Sequence, residues 1–169
     1  MKRHYKIYTD GSALGRTPNY IGGWAVVANY SNTEELNSLD ELSGSKYPTT
    51  NNEMELMAIL KAIEFCIARK NEDALFTIYS DSAYALNSIT KWLQGWKRNG
   101  WINSKKQPVK NREVFEQIDT LLNFCPVLIN FEKVKGHTGD YFNERADDLA
   151  VAESTSLKAQ LIEEGKINE

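Results

Sequence analysis

Ile7-Tyr8-Thr9-Asp10-Gly11-Ser12 and Ile78-Tyr79-Ser80-Asp81-Ser82-Ala83 are two versions of one pattern, an apolar β-prone run that stops at an aspartate followed by glycine or serine. Aromatic and β-branched residues favour a pleated, half-buried strand, and a carboxylate resists burial, so each aspartate is expected at or near a strand end. One such residue is commonplace. Two at matching places suggest a pair of strands presenting acid to a shared point, which is how a divalent-metal site is often begun.

Working outward from the first copy, residues 5–9 read as a strand, and residues 21–30, with Trp24-Ala25-Val26-Val27 after Gly22-Gly23, as a second. A third over 34–43 follows the Ser31-Asn32 turn to complete a hairpin. Residues 50–70 give the clearest helix: Leu56, Ile59, Leu60, Ile63 and Ile67 form a stripe at helical spacing, and Thr50 or Asn51 suits its cap. The second copy belongs to a strand over 74–80, and Asp81-Ser82 opens a helix to about residue 90. A helix over 111–123, a strand over 127–134, the glycine-bounded loop Gly136-His137-Thr138-Gly139-Asp140 and a helix from 143 to about 153 or further complete the order. That order, βββ-α-β-α-α-β-α, implies an α/β fold with a mixed sheet covered by helices.

A chain of 169 residues with 41% hydrophobic residues can bury one sizeable core, so a single domain is expected. No window approaches the roughly 20 apolar residues of a membrane span. The basic start, Met1-Lys2-Arg3-His4-Tyr5-Lys6, leads into a strand without an apolar signal region, so a soluble, cytoplasmic protein with no membrane partner is expected. Cys66 and Cys125 read as small buried hydrophobes and not as a disulfide or metal ligands. The net charge of −3 hides an asymmetry: residues 91–112 carry seven cations and no acid, and removing those seven leaves −10 on the remainder. A basic island on an acidic body points to a polyanion partner.

Four acids stand beside apolar positions: Asp10, Asp81, Glu55 near the start of the long helix, and Asp147 between Ala146 and Leu149. The plain reading of each alone is a solvated or capping carboxylate, and spacing does not show that they converge. If they do, their repulsion demands cations, and an all-oxygen set suits Mg²⁺ or Mn²⁺ over Zn²⁺. Two such ions about 4 Å apart favour phosphodiester hydrolysis, one lowering the pKa of an attacking water while the other stabilises the leaving oxygen. His137, on a loop flanked by glycines, is available for proton transfer near neutral pH, although a lone loop histidine is often incidental. His4 has no such setting.

The basic island interleaves Trp92, Trp96 and Trp101 with its cations, and Trp92 and Trp96 share a face if the segment is helical. At least one tryptophan is expected to pack the segment onto the body. The fuller reading is a projecting handle, 91–112, whose Lys97, Arg98, Lys105 and Lys106 meet phosphates while an aromatic packs on a sugar.

With these residues assembled, the chain resembles the type 1 ribonuclease H family in its bacterial- or phage-like single-domain form. The resemblance rests on Tyr8-Thr9-Asp10-Gly11-Ser12, Thr50-Asn51-Asn52-Glu53-Met54-Glu55-Leu56, Ser80-Asp81-Ser82, the tryptophan segment from Trp92 to Trp101, Val134-Lys135-Gly136-His137-Thr138-Gly139, and Asn143-Glu144-Arg145-Ala146-Asp147, in this order. It implies a ribonuclease H-like fold with a five-stranded mixed sheet in the order 3-2-1-4-5, and endonucleolytic cleavage of RNA within RNA–DNA hybrids to 5′-phosphate and 3′-hydroxyl ends. It also implies two Mg²⁺ ions, with Mn²⁺ able to substitute, held by Asp10, Glu55, Asp81 and Asp147, with His137 as the catalytic-loop histidine. Motif alignment gives the metal role to Glu55 and not to Glu53.

The resemblance further implies that Gly11, Ser12, Asn51 and Asn52 meet RNA 2′-hydroxyls, the group that separates RNA from DNA. Trp92, Trp96 and a phosphate pocket including Thr50 and Asn111 would meet the DNA strand. Two departures stand out: Arg16-Thr17-Pro18-Asn19-Tyr20 replaces a more glycine-rich turn, and Pro48 occupies a position where some relatives have arginine. Residues 1–155 would form the catalytic domain, with 156–169 a polar tail or helix extension, and the working unit is expected to be a monomer.

Overall fold

The computed structural model describes residues 2–16, 19–31, 38–134 and 140–169. Strands β1 (Arg3–Arg16), β2 (Asn19–Ser31), β3 (Ser38–Thr49), β4 (Ala74–Ser80) and β5 (Ile129–Lys133) form one sheet in the order β3-β2-β1-β4-β5. The first three pair antiparallel, whereas β4 lies parallel to β1 and β5 parallel to β4. Mixed sheet and strand order agree with expectation. The first three strands run longer than their apolar patterns, because antiparallel pairing continues through polar positions. The part of the third strand expected at residues 34–37 lies outside the described residues.

Both faces of the sheet are buried, which explains the unbroken apolar run of β2. Val26 and Ala28 join Ile7, Ile59 and Ile63 in the larger core, on the side covered by α1 (Asn51–Ile67). Ala25 and Val27 point the other way, to Ala146 and Ala150 of α5 (Tyr141–Glu163). Strand side chains alternate faces, so a strand covered on both sides carries apolar residues at successive positions.

After β4 the chain turns through α2 (Ala83–Asn87), a π-helical stretch from Ser88 to Trp92, and α3 (Leu93–Asn99). The helical path thus runs well past residue 90, and Ser82, not Asp81, caps it by accepting from the Ala85 amide at 3.1 Å. Thr50 is the cap of α1. α4 (Arg112–Asn123) then packs Val114, Phe115 and Ile118 into the larger core. α5 continues to Glu163, with Leu161 buried. Cys66 is buried as expected, whereas Cys125 is half-buried and donates its thiol to the Val127 carbonyl at 3.1 Å.

Candidate active site and nucleic-acid groove

The repeated motif is a register. Parallel pairing sets Ile7 opposite Ile78 and Tyr8 opposite Tyr79, with the two tyrosine rings stacked 4.8 Å apart. Thr9 ties the strands once more, donating its hydroxyl to the Tyr79 carbonyl at 2.8 Å. Two residues beyond the Tyr8–Tyr79 pair, the same count along each chain arrives at Asp10 and Asp81. Asp81 follows the end of β4, as expected. Asp10 lies within β1 and not at its end, because β1 continues along β2 to Arg16 after β4 has stopped. It is the end of the β1–β4 ladder that opens the site.

Glu55 arrives from α1, and Gly11 permits its approach. A Cβ built on Gly11 would lie 2.5 Å from the Glu55 amide nitrogen and 2.6 Å from the Met54 carbonyl carbon. Such contacts are forbidden, so only glycine lets the strand backbone lie against the first turns of α1. Glu53, two residues earlier, is held elsewhere: it accepts from Thr49 Oγ1 at 2.5 Å and pairs with Lys46 at 3.0 Å. Its amide donates to Thr50 Oγ1 at 3.1 Å, so Glu53 belongs to the helix start.

Carboxylate oxygens of Asp10, Glu55 and Asp81 lie within 4.8 Å of one another. Asp147 lines the same cleft of about 290 Å³ from α5, alongside Asn143 and Glu144. Asp147 is exposed, whereas Asp10 and Glu55 are each 5% exposed. Burial, and next the charge of Asp81, pushes Asp10 above the usual carboxylate range. Burial, with Asp10 and Asp81 beside it, pushes Glu55 higher still. Glu55 Oε2 and Asn143 Oδ1 are buried without a hydrogen-bond partner among the described residues. Converging carboxylates with an unanswered oxygen fit an oxygen-liganded divalent cation, which would relieve the repulsion and supply the missing partner. His137 lies outside the described residues.

A second feature lies beside the start of α1. A groove of about 800 Å³ is lined by Thr50, Asn52, Trp92, Trp96, Arg98 and Lys105. Asn111 also lines it, its side-chain amide donating to the Tyr84 hydroxyl at 3.4 Å. The structure therefore brings the tryptophan segment and the start of α1 to one surface. Trp92 is 44% exposed, Trp96 packs on Phe115 with centroids 5.3 Å apart, and Trp101 is buried beneath the Arg112 guanidinium. Trp96 and Trp101 thus pack the segment onto the body, as expected of at least one tryptophan.

Lys91, Lys110 and Tyr84 also line the groove and were not singled out from the sequence, although both lysines belong to the basic island. Asn143 was likewise missed; its position one helical turn before Asp147 was the available signal. Lys97 and Lys106 are not among the described residues lining the groove, and Lys97 pairs with Asp119 at 2.7 Å. Asn51 is exposed at the start of α1, and Ser12 Oγ lies 3.4 Å from Ser154 Oγ on α5.

The RNase H family model matches residues 2–155. The chain belongs to the RNase H family. It is 43% identical over 145 residues to a ribonuclease H of Syntrophomonas wolfei, spanning 85% of this chain and 91% of that one. A Rhizobium etli ribonuclease H is 41% identical over 148 residues, spanning 88% and 89% respectively. Among solved structures, LC9-RNase H1, a type 1 RNase H with the type 2 active-site motif, superposes with a TM-score of 0.77. At 24% identity over 92% of this chain and 74% of that one, it shows the shared fold. A foamy viral protease–reverse transcriptase in complex with an RNA/DNA hybrid gives a TM-score of 0.69 at 26% identity, over 90% of this chain and 20% of that one. No described helix is long and apolar enough to cross a membrane.

Proposed function

We propose that this ribonuclease H cleaves the RNA strand of RNA–DNA hybrids internally, leaving 5′-phosphate and 3′-hydroxyl ends, with two Mg²⁺ ions held by Asp10, Glu55, Asp81 and Asp147. The observation that carries the reading is the cluster of three carboxyls within 4.8 Å of one another, reached from the same end of α1 as a basic, tryptophan-lined groove. Bound Mg²⁺ would supply activation of an attacking water and stabilisation of the leaving oxygen. Glu55 and Asp10 form the buried floor of the cleft. Asp81, just past the end of β4, and Asp147 of α5 line its sides. His137 would move a proton or assist product release.

The placing of the cleft and the groove beside the start of α1 supports the two strand assignments. Gly11, Ser12, Asn51 and Asn52 would meet 2′-hydroxyls of the cut strand, where a DNA strand has none to offer. Trp92 and Trp96 would pack on the other strand, with Thr50, Asn111, Arg98 and Lys105 around its phosphates. A single copy suffices for a duplex laid along this surface, so the working unit is a monomer.

The test is a panel of matched RNA–DNA, DNA–DNA and RNA–RNA duplexes incubated with Mg²⁺ and with EDTA. Internal cuts confined to the RNA of the hybrid, and abolished by EDTA, are expected. Cleavage of DNA duplexes would instead identify a structure-specific nuclease on the same fold, and tight hybrid binding without cuts would identify a binding module.

A further inference from the structure

Asp119 is a carboxylate where an apolar side chain is expected. It follows Ile118 and stands one helical turn after Phe115, on the face by which α4 enters the core, and it is 7% exposed. A buried carboxylate is costly unless paired and hydrogen-bonded. Its partners are specific. Lys97 Nζ lies 2.7 Å from Oδ2, Gln94 Nε2 donates to Oδ1 at 3.2 Å, and Asn123 Nδ2 donates to Oδ2 at 3.2 Å. Two of the three partners come from α3, and the third from α4 itself.

α3 has seven residues, too few to hold helical form or orientation alone. It is entered through the π-helical stretch, and it leads into a loop where Trp101, Lys106 and Asn111 adopt left-handed backbone. These are all the described non-glycine residues with positive φ, so this segment concentrates backbone strain that its surroundings must hold. Gln94 and Lys97, three apart, share one side of α3. Trp92, Trp96 and Arg98 line the groove from the rest of the turn. Rotation of α3 about its axis thus decides which side chains meet the groove, and the Asp119 contacts hold α3 along the edge that borders it, with Gln94 one turn before Arg98.

We propose that Asp119 is a positioning residue for the groove: by pairing with Lys97 and Gln94 it sets the rotation of α3, so that Trp96 and Arg98 line the groove. Lys97 is then half of this lock and not a phosphate contact. The inference rests on the hybrid-cleaving reading above and adds to it an acid outside the metal cleft.

The experiment compares wild type, Asp119→Asn, Lys97→Met, the double variant and Arg98→Gln in steady-state hybrid cleavage over a series of salt concentrations, with thermal unfolding of each. Asp119→Asn keeps the shape of the side chain and removes its charge. Both single lock variants are expected to raise KM roughly five- to tenfold with kcat within about twofold, as for misplacement of a substrate-binding surface. The double variant is expected to be no worse than the more affected single one, because the two residues act as a unit. The salt slope of log KM should be unchanged in Lys97→Met, whereas Arg98→Gln should lower it by about 0.9, the loss of one phosphate contact.

A drop of about 0.9 in Lys97→Met, with tighter binding when Asp119→Asn frees the ammonium, would make Lys97 a phosphate ligand and overturn the proposal. Lower melting temperatures with KM unchanged would reduce Asp119 to a purely structural role, which also overturns it. If wild type does not cut the hybrid, the functional reading fails and this inference with it. Wild-type cleavage with unaltered KM in both lock variants fails the inference alone.

Discussion

Asp10 is 5% exposed and shares its cleft with the carboxyls of Glu55, Asp81 and Asp147. Its pKa is raised by burial and by Asp81, so the folded, metal-free protein holds a proton that the unfolded chain releases at lower pH. A raised carboxyl pKa makes the native state bind more protons than the unfolded state. Metal-free stability therefore falls as pH climbs through and above the ordinary carboxylate range. Glu55 acts in the same direction. Asp10→Asn is expected to abolish cleavage in Mg²⁺ while raising the melting temperature in EDTA at neutral pH. A gain of about 2–4 °C corresponds to about 1 kcal/mol in a domain of this length, and scanning calorimetry of both proteins with and without Mg²⁺ would measure it. A variant that lost activity and also lost stability in EDTA would show that the aspartate serves the fold.

At the scale of elements, the site depends on how closely helices approach the sheet. A Cβ on Gly23 would run into the carbonyl oxygen of Ala150 and lie 2.9 Å from the Ser154 nitrogen, so β2 and α5 touch backbone to backbone there. Gly23→Ala should therefore push α5 outward, and Asp147 with it. Denaturant unfolding is expected to show a loss of about 1–3 kcal/mol, as for overpacking a close-packed contact, and kcat should fall as well. Full activity at reduced stability would mean that the placement of Asp147 tolerates a shifted helix.

The elements themselves were legible to different degrees. α1 was plain because Leu56, Ile59, Leu60 and Ile63 repeat at helical spacing and all are buried. Where α5 ends was not, since only Ser154 and Leu161 are buried along its last turns. The π-helical stretch from Ser88 to Trp92 was also hidden, because it reflects hydrogen-bond geometry and not residue type.

For the whole molecule, a basic groove lies on an acidic body, and on the proposed function that contrast captures the hybrid. Lys91, Arg98, Lys105 and Lys110 line the groove, and each phosphate contact adds about 0.9 to the log–log salt slope on duplex DNA. Neutralising all four should flatten the slope by roughly 2–4 units if most of them meet phosphates, which fluorescence anisotropy with labelled hybrid in EDTA would report. An unaltered slope would mean that affinity comes from elsewhere on the surface. The charge excess of residues 91–112 was visible in the sequence as a block. Which cations line the groove was not, because Lys97 and Arg98 are adjacent in the chain yet one pairs with Asp119 and the other lines the groove.

By itself the sequence determined the order of elements along the chain, the four acids as candidates, and the basic tryptophan-rich segment, because those follow from periodicity and residue chemistry; the sheet order came through the family resemblance of its motifs. The echoed Tyr8-Thr9-Asp10 and Tyr79-Ser80-Asp81 announced two strands bearing acid. Only the tertiary structure decided that the echo is a parallel register with Tyr8 set against Tyr79, that Gly11 admits Glu55, and that Glu53 is spent on the helix start. Convergence is a property of residues distant in the chain, and it is settled by which backbones can approach each other. The sequence names the groups that could meet, and packing decides which of them do.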